Sequence, residues 1–392
     1  MDLVESSEVK HDLAMMTEED TEQLLKMISQ RRPNLFLISD LCQNKIIPDH
    51  LRATVWAILL RIDRHTMKNA DATLSTDISA TTVDMENQRV IEMDTKRTNG
   101  IDPYFREEAT RMKMEKLLTF YCKRKSLAYK QGLNFVLAPF MKLQHSNNMN
   151  ENRHSVLGDG QMFEMFYAFI ERLMPNVFAD DEFRSLQFSL KVFRLLLLYH
   201  DPQLGAALDQ NDVIPELYAT PWFLTLFSRT LPLKACNILW DFYLTCLAQE
   251  EFLYVHFFVC LGVLLDSREA ILTADKSEIP AVASQIPPVV DTEEETEAKI
   301  SKAIAHAVTL REQTPNTFLK LIYEVAFAPN IGSHKYFQNL KALKFSFMTV
   351  VEANPYKQTH MQGNKSAYEG DMLQKALDQL LVCPMQPAEI LR

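Results

Sequence analysis

The chain has 392 residues, is 47% hydrophobic and 10% aromatic, and carries a net charge of −10. That composition supplies a large buried core and speaks against wholesale disorder. The acidic balance, with no dominant basic stripe, argues against a nucleic-acid binder. Glycine occurs only 9 times, where average usage would give roughly 27. Hairpin-rich barrels and glycine-cradled phosphate sites are therefore disfavoured, and helices joined by polar loops are expected.

In chain order, Thr17-Glu18-Glu19-Asp20 reads as a helix start, with a Thr cap and acids in the first turn. Leu24, Leu25 and Ile28 follow at helical spacing, and Pro33 ends the element. Pro48 is placed to begin a helix carrying Leu51, Val55, Ile58, Leu59 and Ile62 on one side. Residues 66–88, rich in Thr, Ser and Asp, read as a long mobile loop. Met114, Leu117, Leu118 and Tyr121 resume helical spacing, and Gly132 marks a bend or a close backbone approach. A second polar loop is expected over 144–161. Helices carrying Phe163, Phe166, Ile170 and Leu173, then Leu186, Leu190, Phe193 and Leu197, come next. Several short helices punctuated by Pro202, Pro215, Pro221 and Pro232 follow.

The longest apolar run, 252–265, contains His256 and is flanked by Glu250, Glu251 and Asp266. It falls short of the roughly 20 residues of a membrane span and reads as a core helix. Prolines and a run of acids make 273–297 a linker. Helices near 298–328 and 371–382 come after it. The reading is all-α: an N-terminal helical segment (1–46), an irregular multi-helix domain (47–272), the linker, and a helical C-terminal extension (298–392).

Several chemistries lack their motifs. Neither phosphate-loop pattern occurs, nor does H-E-x-x-H or G-x-S-x-G. No cysteine is followed by five residues and an arginine, and His145, His154, His200 and His256 lack ligand-like spacing. The six cysteines (Cys42, Cys122, Cys236, Cys246, Cys260, Cys383) stand far apart, which indicates neither a zinc site nor a disulfide framework but reduced thiols in the cytosol. The N-terminus has no apolar signal core. The expectation is a protein with no nucleotide or metal of its own, whose catalysis, if any, uses plain side chains.

Two short segments stand out. "IEMDTKR", 91–97, sets Glu92 and Asp94 beside Lys96 and Arg97; alone it reads as a surface ion-pair cluster. "YKQGLN", 129–134, sets Gln131 next to Gly132; alone it reads as a helix N-terminus. Together, in this order, they resemble the TBC domain of Rab GTPase-activating proteins, with its I-x-x-D-x-x-R and later Y-x-Q. The family's I-P-x-x-x-R-x-x-x-W is matched from Ile47 through Arg52 to Trp56, and "WFLTLF" (222–227) and "LWDFYL" (239–244) are similar to its later segments. The resemblance spans roughly 47–272. One departure is Leu133, where the family usually has Met.

The resemblance implies a TBC-type domain acting in trans on a Rab-family GTPase. Arg97 would reach the phosphates and Gln131 would position the attacking water. Asp94 would orient Arg97, Tyr129 would set Gln131, and Arg52 and Trp56 would support the fold. GTP and Mg²⁺ would come with the Rab. The other function the resemblance carries is a non-catalytic adaptor that binds a Rab or a vesicle-tethering partner at Golgi or endosomes. The chain would then be cytoplasmic and reach membranes only through its partners. The tail, "LLVCPMQPAEILR", resembles the start of a rhodanese-like domain, which some TBC proteins carry after the TBC domain.

Overall fold

The computed structural model describes residues 13–178, 183–249, 252–287, 293–316, 318, 319 and 322. The helix expected over 371–382 and the rhodanese-like resemblance at the tail lie outside these residues. The described chain is mostly helical, and the all-α expectation holds. Its strands are two residues each: β1 (Ala14–Met15) pairs in parallel with β2 (Lys45–Ile46).

The first helices are α1 (Glu18–Ile28), α2 (Leu35–Cys42), α3 (Asp49–Leu59), α4 (Arg64–Ala80), α5 (Gln88–Arg97), α6 (Pro103–Arg106), α7 (Glu108–Lys125), α8 (Leu133–Met149) and α9 (Asp159–Leu173). Then come α10 (Arg184–His200), α11 (Pro202–Gln210), α12 (Pro215–Tyr218), α13 (Thr220–Thr225), α14 (Leu233–Ala248) and α15 (Phe252–Asp266). The last three are α16 (Arg268–Thr273), α17 (Ile279–Ser284) and α18 (Glu293–Glu312).

These elements form two compact units. Of the described residues, one unit gathers those within 1–173, 228–252 and 290–308; the other gathers those within 174–227, 253–289 and from 309 on. In the first, α1 opens with a reciprocal cap: Thr17 accepts from the Asp20 amide and Asp20 accepts from the Thr17 amide. That satisfies two backbone donors no helical carbonyl can reach. The helix seats Leu24 and Ile28 inward. Its aromatic centre lies where α3, α8, α9 and α14 meet. Phe140 of α8 lies 5.7 Å from Trp56, 5.5 Å from Trp240 and 5.3 Å from Phe169, and Phe169 stacks on Trp240 at 4.3 Å.

The long loop expected over 66–88 is not there. Residues up to Ala80 belong to α4, which Asp63 caps at the Thr66 amide and which buries Ala70 and Ile78. Its polarity hides a close approach to α9. A Cβ on Gly160 would collide with the Ala70 carbonyl oxygen, and one on Gly158 with the Asp71 carboxylate. The Gly160 amide donates to Ser75 Oγ at 2.9 Å. Small side chains on α4 and glycines opposite let two backbones touch where a hydrophobic stripe would have held them apart. Gly160→Ala is therefore expected to cost about 1–3 kcal/mol through overpacking, read as a shift in the denaturant midpoint. Residues 81–87 are also fastened, since Lys123 Nζ donates to the Thr82 carbonyl at 2.8 Å and pairs with Asp84.

The second expected loop is shorter than 144–161, because α8 continues to Met149 and α9 begins at Asp159. The polar residues at the end of α8 bond back to the loop. Asn147 Nδ2 donates to Ser155 O (2.8 Å), while Asn148 Nδ2 and Gln144 Nε2 donate to Leu157 O (2.9 and 3.0 Å).

In the second unit, Trp222 stacks on Phe227 at 5.6 Å and donates from Nε1 to Ile286 O at 3.3 Å. Residues 273–297, expected as a linker, include α17, whose Ile279 and Ala283 are buried. The apolar run forms α15, and among the described residues no helix is long and apolar enough to cross a membrane. His256 on α15 is buried against Phe223 and Phe227, with Nε2 3.5 Å from Cys260 Sγ. Burial lowers its pKa from 6.5 to about 3. Below pH 6.5 the unfolded chain takes a proton that the folded chain refuses, so stability falls as pH drops from 6.5 toward 3. The expected slope from this group approaches ~1.4 kcal/mol per pH unit. Urea denaturation at pH 6 and pH 4 should show a shallower dependence in His256→Phe than in the parent.

The five described cysteines, Cys42, Cys122, Cys236, Cys246 and Cys260, are all buried. Burial pushes the Cys42 and Cys122 thiols up to about 12.

Candidate functional site

Arg97 is the last residue of α5. The helix turns Ile91, Asp94 and Thr95 inward and leaves Arg97 outward, its side chain 60% exposed. Cations in the last turn suit the partial negative charge of a helix C-terminus. Arg97 Nη2 donates to Asp94 Oδ1 at 2.6 Å and Nε donates to Met93 O at 3.2 Å. No partner of Nη1 is found among the described residues.

Asp94 links this arginine to the second segment. The Tyr129 hydroxyl lies 2.9 Å from Asp94 Oδ2 and 3.2 Å from Asn134 Oδ1. Its single proton goes to the nearer, charged acceptor. Burial, and then the Asp94 carboxylate, push the Tyr129 pKa far above its ordinary value, so the phenol stays a neutral donor.

The backbone of the second segment is set by its ends. α7 stops at Ser126 in a left-handed conformation, and the Leu127 amide donates back to Cys122 O at 3.0 Å. At the other end Gly132 takes φ 113° and ψ −34°, a conformation side chains resist, just before α8 begins. This is the bend expected at that glycine. Between these ends Asn87 Nδ2 holds Tyr129 O at 3.0 Å. Gln131 projects exposed from the turn.

Asn134 completes the arrangement. Its Oδ1 accepts from the Gly132 amide at 3.1 Å, and its Nδ2 donates to Thr98 Oγ1 at 2.8 Å. Thr98 Oγ1 in turn donates to Asp94 O at 2.7 Å, satisfying a carbonyl at the helix end. Buried Asn134 thus touches both segments at once. The sequence offered it in "YKQGLN", but reading the segment for its glutamine passed over it. Thr98 and Asn87 carried no sequence signal of their own.

Arg52 and Trp56 lie elsewhere in the unit, in a fully buried cluster around Asp241 of α14. Arg52 Nε lies 3.1 and 3.2 Å from the two Asp241 oxygens, Arg52 Nη2 donates to Ile47 O at 2.6 Å, and Arg52 also pairs with Asp49. Trp56 Nε1 donates to Asp241 Oδ1 at 2.6 Å. Burial works against the Arg52 charge, but Asp241 and Asp49 outweigh it and its pKa ends above the ordinary value. Burial raises Asp241 to about 6, against the opposing pull of Arg52 and Trp56. The sequence flagged Asp241 only as part of "LWDFYL". α8 runs from the first cluster into the second, carrying Asn134 near its start and Phe140 against Trp56.

The helical architecture and these paired motifs define a Rab-GAP-type domain. The family model described as the Rab-GTPase-TBC domain matches residues 49–272, more than half of the chain, and the chain belongs to that family. It is 28% identical over 274 residues to the "TBC domain-containing protein kinase-like protein" of Gallus gallus, covering 69% of this chain and 27% of that protein. The Homo sapiens protein of the same name matches at 28% over the same shares. The "Rab GTPase-activating protein tbc-11" of Caenorhabditis elegans is 26% identical over 72% of this chain and 29% of that protein. The chain thus spans under a third of the length of these relatives. Among solved structures, the Ypt/Rab-GAP domain of Gyp1p superposes with a TM-score of 0.64 at 18% identity, covering 75% of this chain and 98% of that one. The Chlamydomonas flagellar RabGAP TBC domain gives 0.55 at 17%, covering 74% and 90%. At such identities the likeness shows the fold.

Proposed function

We propose that this chain accelerates GTP hydrolysis on a Rab-family GTPase by inserting Arg97 and Gln131 beside the bound nucleotide. The observation that supports this most is the hydrogen-bond network in which Asp94 accepts from Arg97, Tyr129 and Thr98, and Thr98 and Asn134 carry the connection on to Gly132; it ties an exposed arginine to the turn presenting an exposed glutamine. A planar, permanently charged guanidinium matches phosphate oxygens, and an arginine supplied in trans is worth about 10³–10⁵ in rate. The Gln131 carboxamide can donate and accept together, as orienting an attacking water requires. Asp94 and Tyr129 are positioning residues, since misplacement by ~1 Å can cost about 10²-fold. Arg52 and Trp56 hold the scaffold. The GTPase brings GTP and Mg²⁺. The biological setting we propose is vesicle trafficking at Golgi or endosomal membranes, reached through partners.

The test is single-turnover hydrolysis across a panel of GTP-loaded Rab proteins. At least one should be accelerated. A panel in which none is accelerated while one Rab still binds would overturn the catalytic reading and assign an adaptor role instead, with vesicle-tethering proteins as the next partners to assay.

A further inference from the structure

Within seven residues of Arg97 along the chain, three large apolar side chains face solvent. Val90 and Met93 precede Arg97 by seven and four residues on α5, so the three share one stripe of the helix. Val90 is 39% exposed and Met93 45%. Ile101, four residues beyond Arg97, is 92% exposed. Its turn is not slack. Asn99 takes a left-handed φ of 45°, Arg106 Nε donates to Gly100 O at 2.7 Å, and Arg106 Nη2 donates to Ile101 O at 3.1 Å. Asp102 then caps α6 at the Tyr104 amide. A fastened backbone presents a bare isoleucine.

Single exposed apolar residues are ordinary. Three flanking one cation are a different matter, because the cation fixes what must cover them. Arg97 lies back along its own stripe, with Nε on the Met93 carbonyl, and neighbours on a stripe stand about 5–6 Å apart. A body that receives the Arg97 guanidinium at a phosphate therefore comes within reach of the Met93 side chain.

We infer that Val90, Met93 and Ile101 form an apolar collar that seats the GTP-loaded GTPase, against an apolar surface next to its nucleotide phosphates. The collar sets affinity, while Arg97 sets turnover. This rests on the function proposed above.

The test titrates the full chain against the GTPase selected by the panel, in two assays. One is single-turnover hydrolysis; the other is equilibrium binding to GTPase loaded with a non-hydrolysable GTP analogue. Met93→Asp and Ile101→Asp should each raise the half-saturating concentration about tenfold and leave the saturating rate within about twofold. Met93→Leu should restore affinity. Arg97→Ala should show the reverse pattern. Unchanged half-saturation in both assays, or a lost saturating rate at unchanged half-saturation, would overturn the collar. If the parent chain binds a GTPase without accelerating it, the catalytic reading falls and the binding titration still decides on the collar. If it binds none, both fall.

Discussion

Arg97→Ala is expected to remove at least about 10³ of the acceleration of GTP hydrolysis while leaving the thermal midpoint within a few degrees of the parent. The two halves of that result come from different observations. The side chain is mostly exposed and buries little, so its removal opens no cavity. Its ion pair with Asp94 is half in solvent, and such pairs contribute little to folding. In the transition state, by contrast, the guanidinium would stand against charge on the transferring phosphoryl, in a site from which water is excluded. Arg97→Lys should fail nearly as badly, because an ammonium cannot present the same fork. Gln131→Ala should lose most of the acceleration too, again without loss of stability, since Gln131 is exposed. Single-turnover rates with thermal melts on the same preparations check both halves. An alanine variant at Arg97 that keeps more than a tenth of the parent acceleration would sink the assignment.

Asp241→Ala should act on the fold instead, costing about 3–5 kcal/mol. The Asp241 carboxylate accepts from Arg52 Nε and from Trp56 Nε1, and all three residues are buried. Deleting it strips the Arg52 Nε of its partner, leaves Asp49 as the one carboxylate on that guanidinium, and leaves an unpaired indole N–H in an apolar core. Asp241→Asn keeps one acceptor and should fall in between. Equilibrium denaturation with circular dichroism would read the difference. A cost under about 1 kcal/mol would mean that water reaches Arg52 and the cluster is not sealed. Because the cluster also places Phe140 of α8, its failure should degrade the Gln131 turn at the start of that helix, whereas loss of Arg97 should not disturb the cluster.

How far the sequence disclosed all this follows the range of the interactions. Helices with an apolar period, such as α9 with Phe163, Phe166 and Ile170, were legible because a helix buries one stripe. The cap at Thr17 was legible because it is local. α4 was misread because it packs through close approach of Gly160 to its backbone and of Gly158 to its Asp71 side chain, more than eighty residues from its start. The pair Asp94–Arg97, three residues apart on one helix, could be suspected from spacing. The Tyr129–Asp94 bond, across 35 residues, was not legible: taking the two motifs together put Asp94 with Arg97 and Tyr129 with Gln131, and nothing local joins the pairs. The link from Asn134 to Thr98, across 36 residues, and from Trp56 to Asp241, across 185, had no local signature.

Asn134 has one further consequence, which concerns chemical ageing. Its flat amide has two unlike edges: an oxygen toward the Gly132 amide, and a nitrogen toward the Thr98 hydroxyl. Deamidation to aspartate would change a single atom and almost no volume, yet the edge facing Thr98 would turn from donor to acceptor, and a new charge would sit within reach of the Tyr129 hydroxyl. At a site this buried, beside the Asp94 carboxylate, the new charge would cost stability and disturb the turn together. Melting point and specific activity would then fall in step, and an aged preparation would report the damage by either.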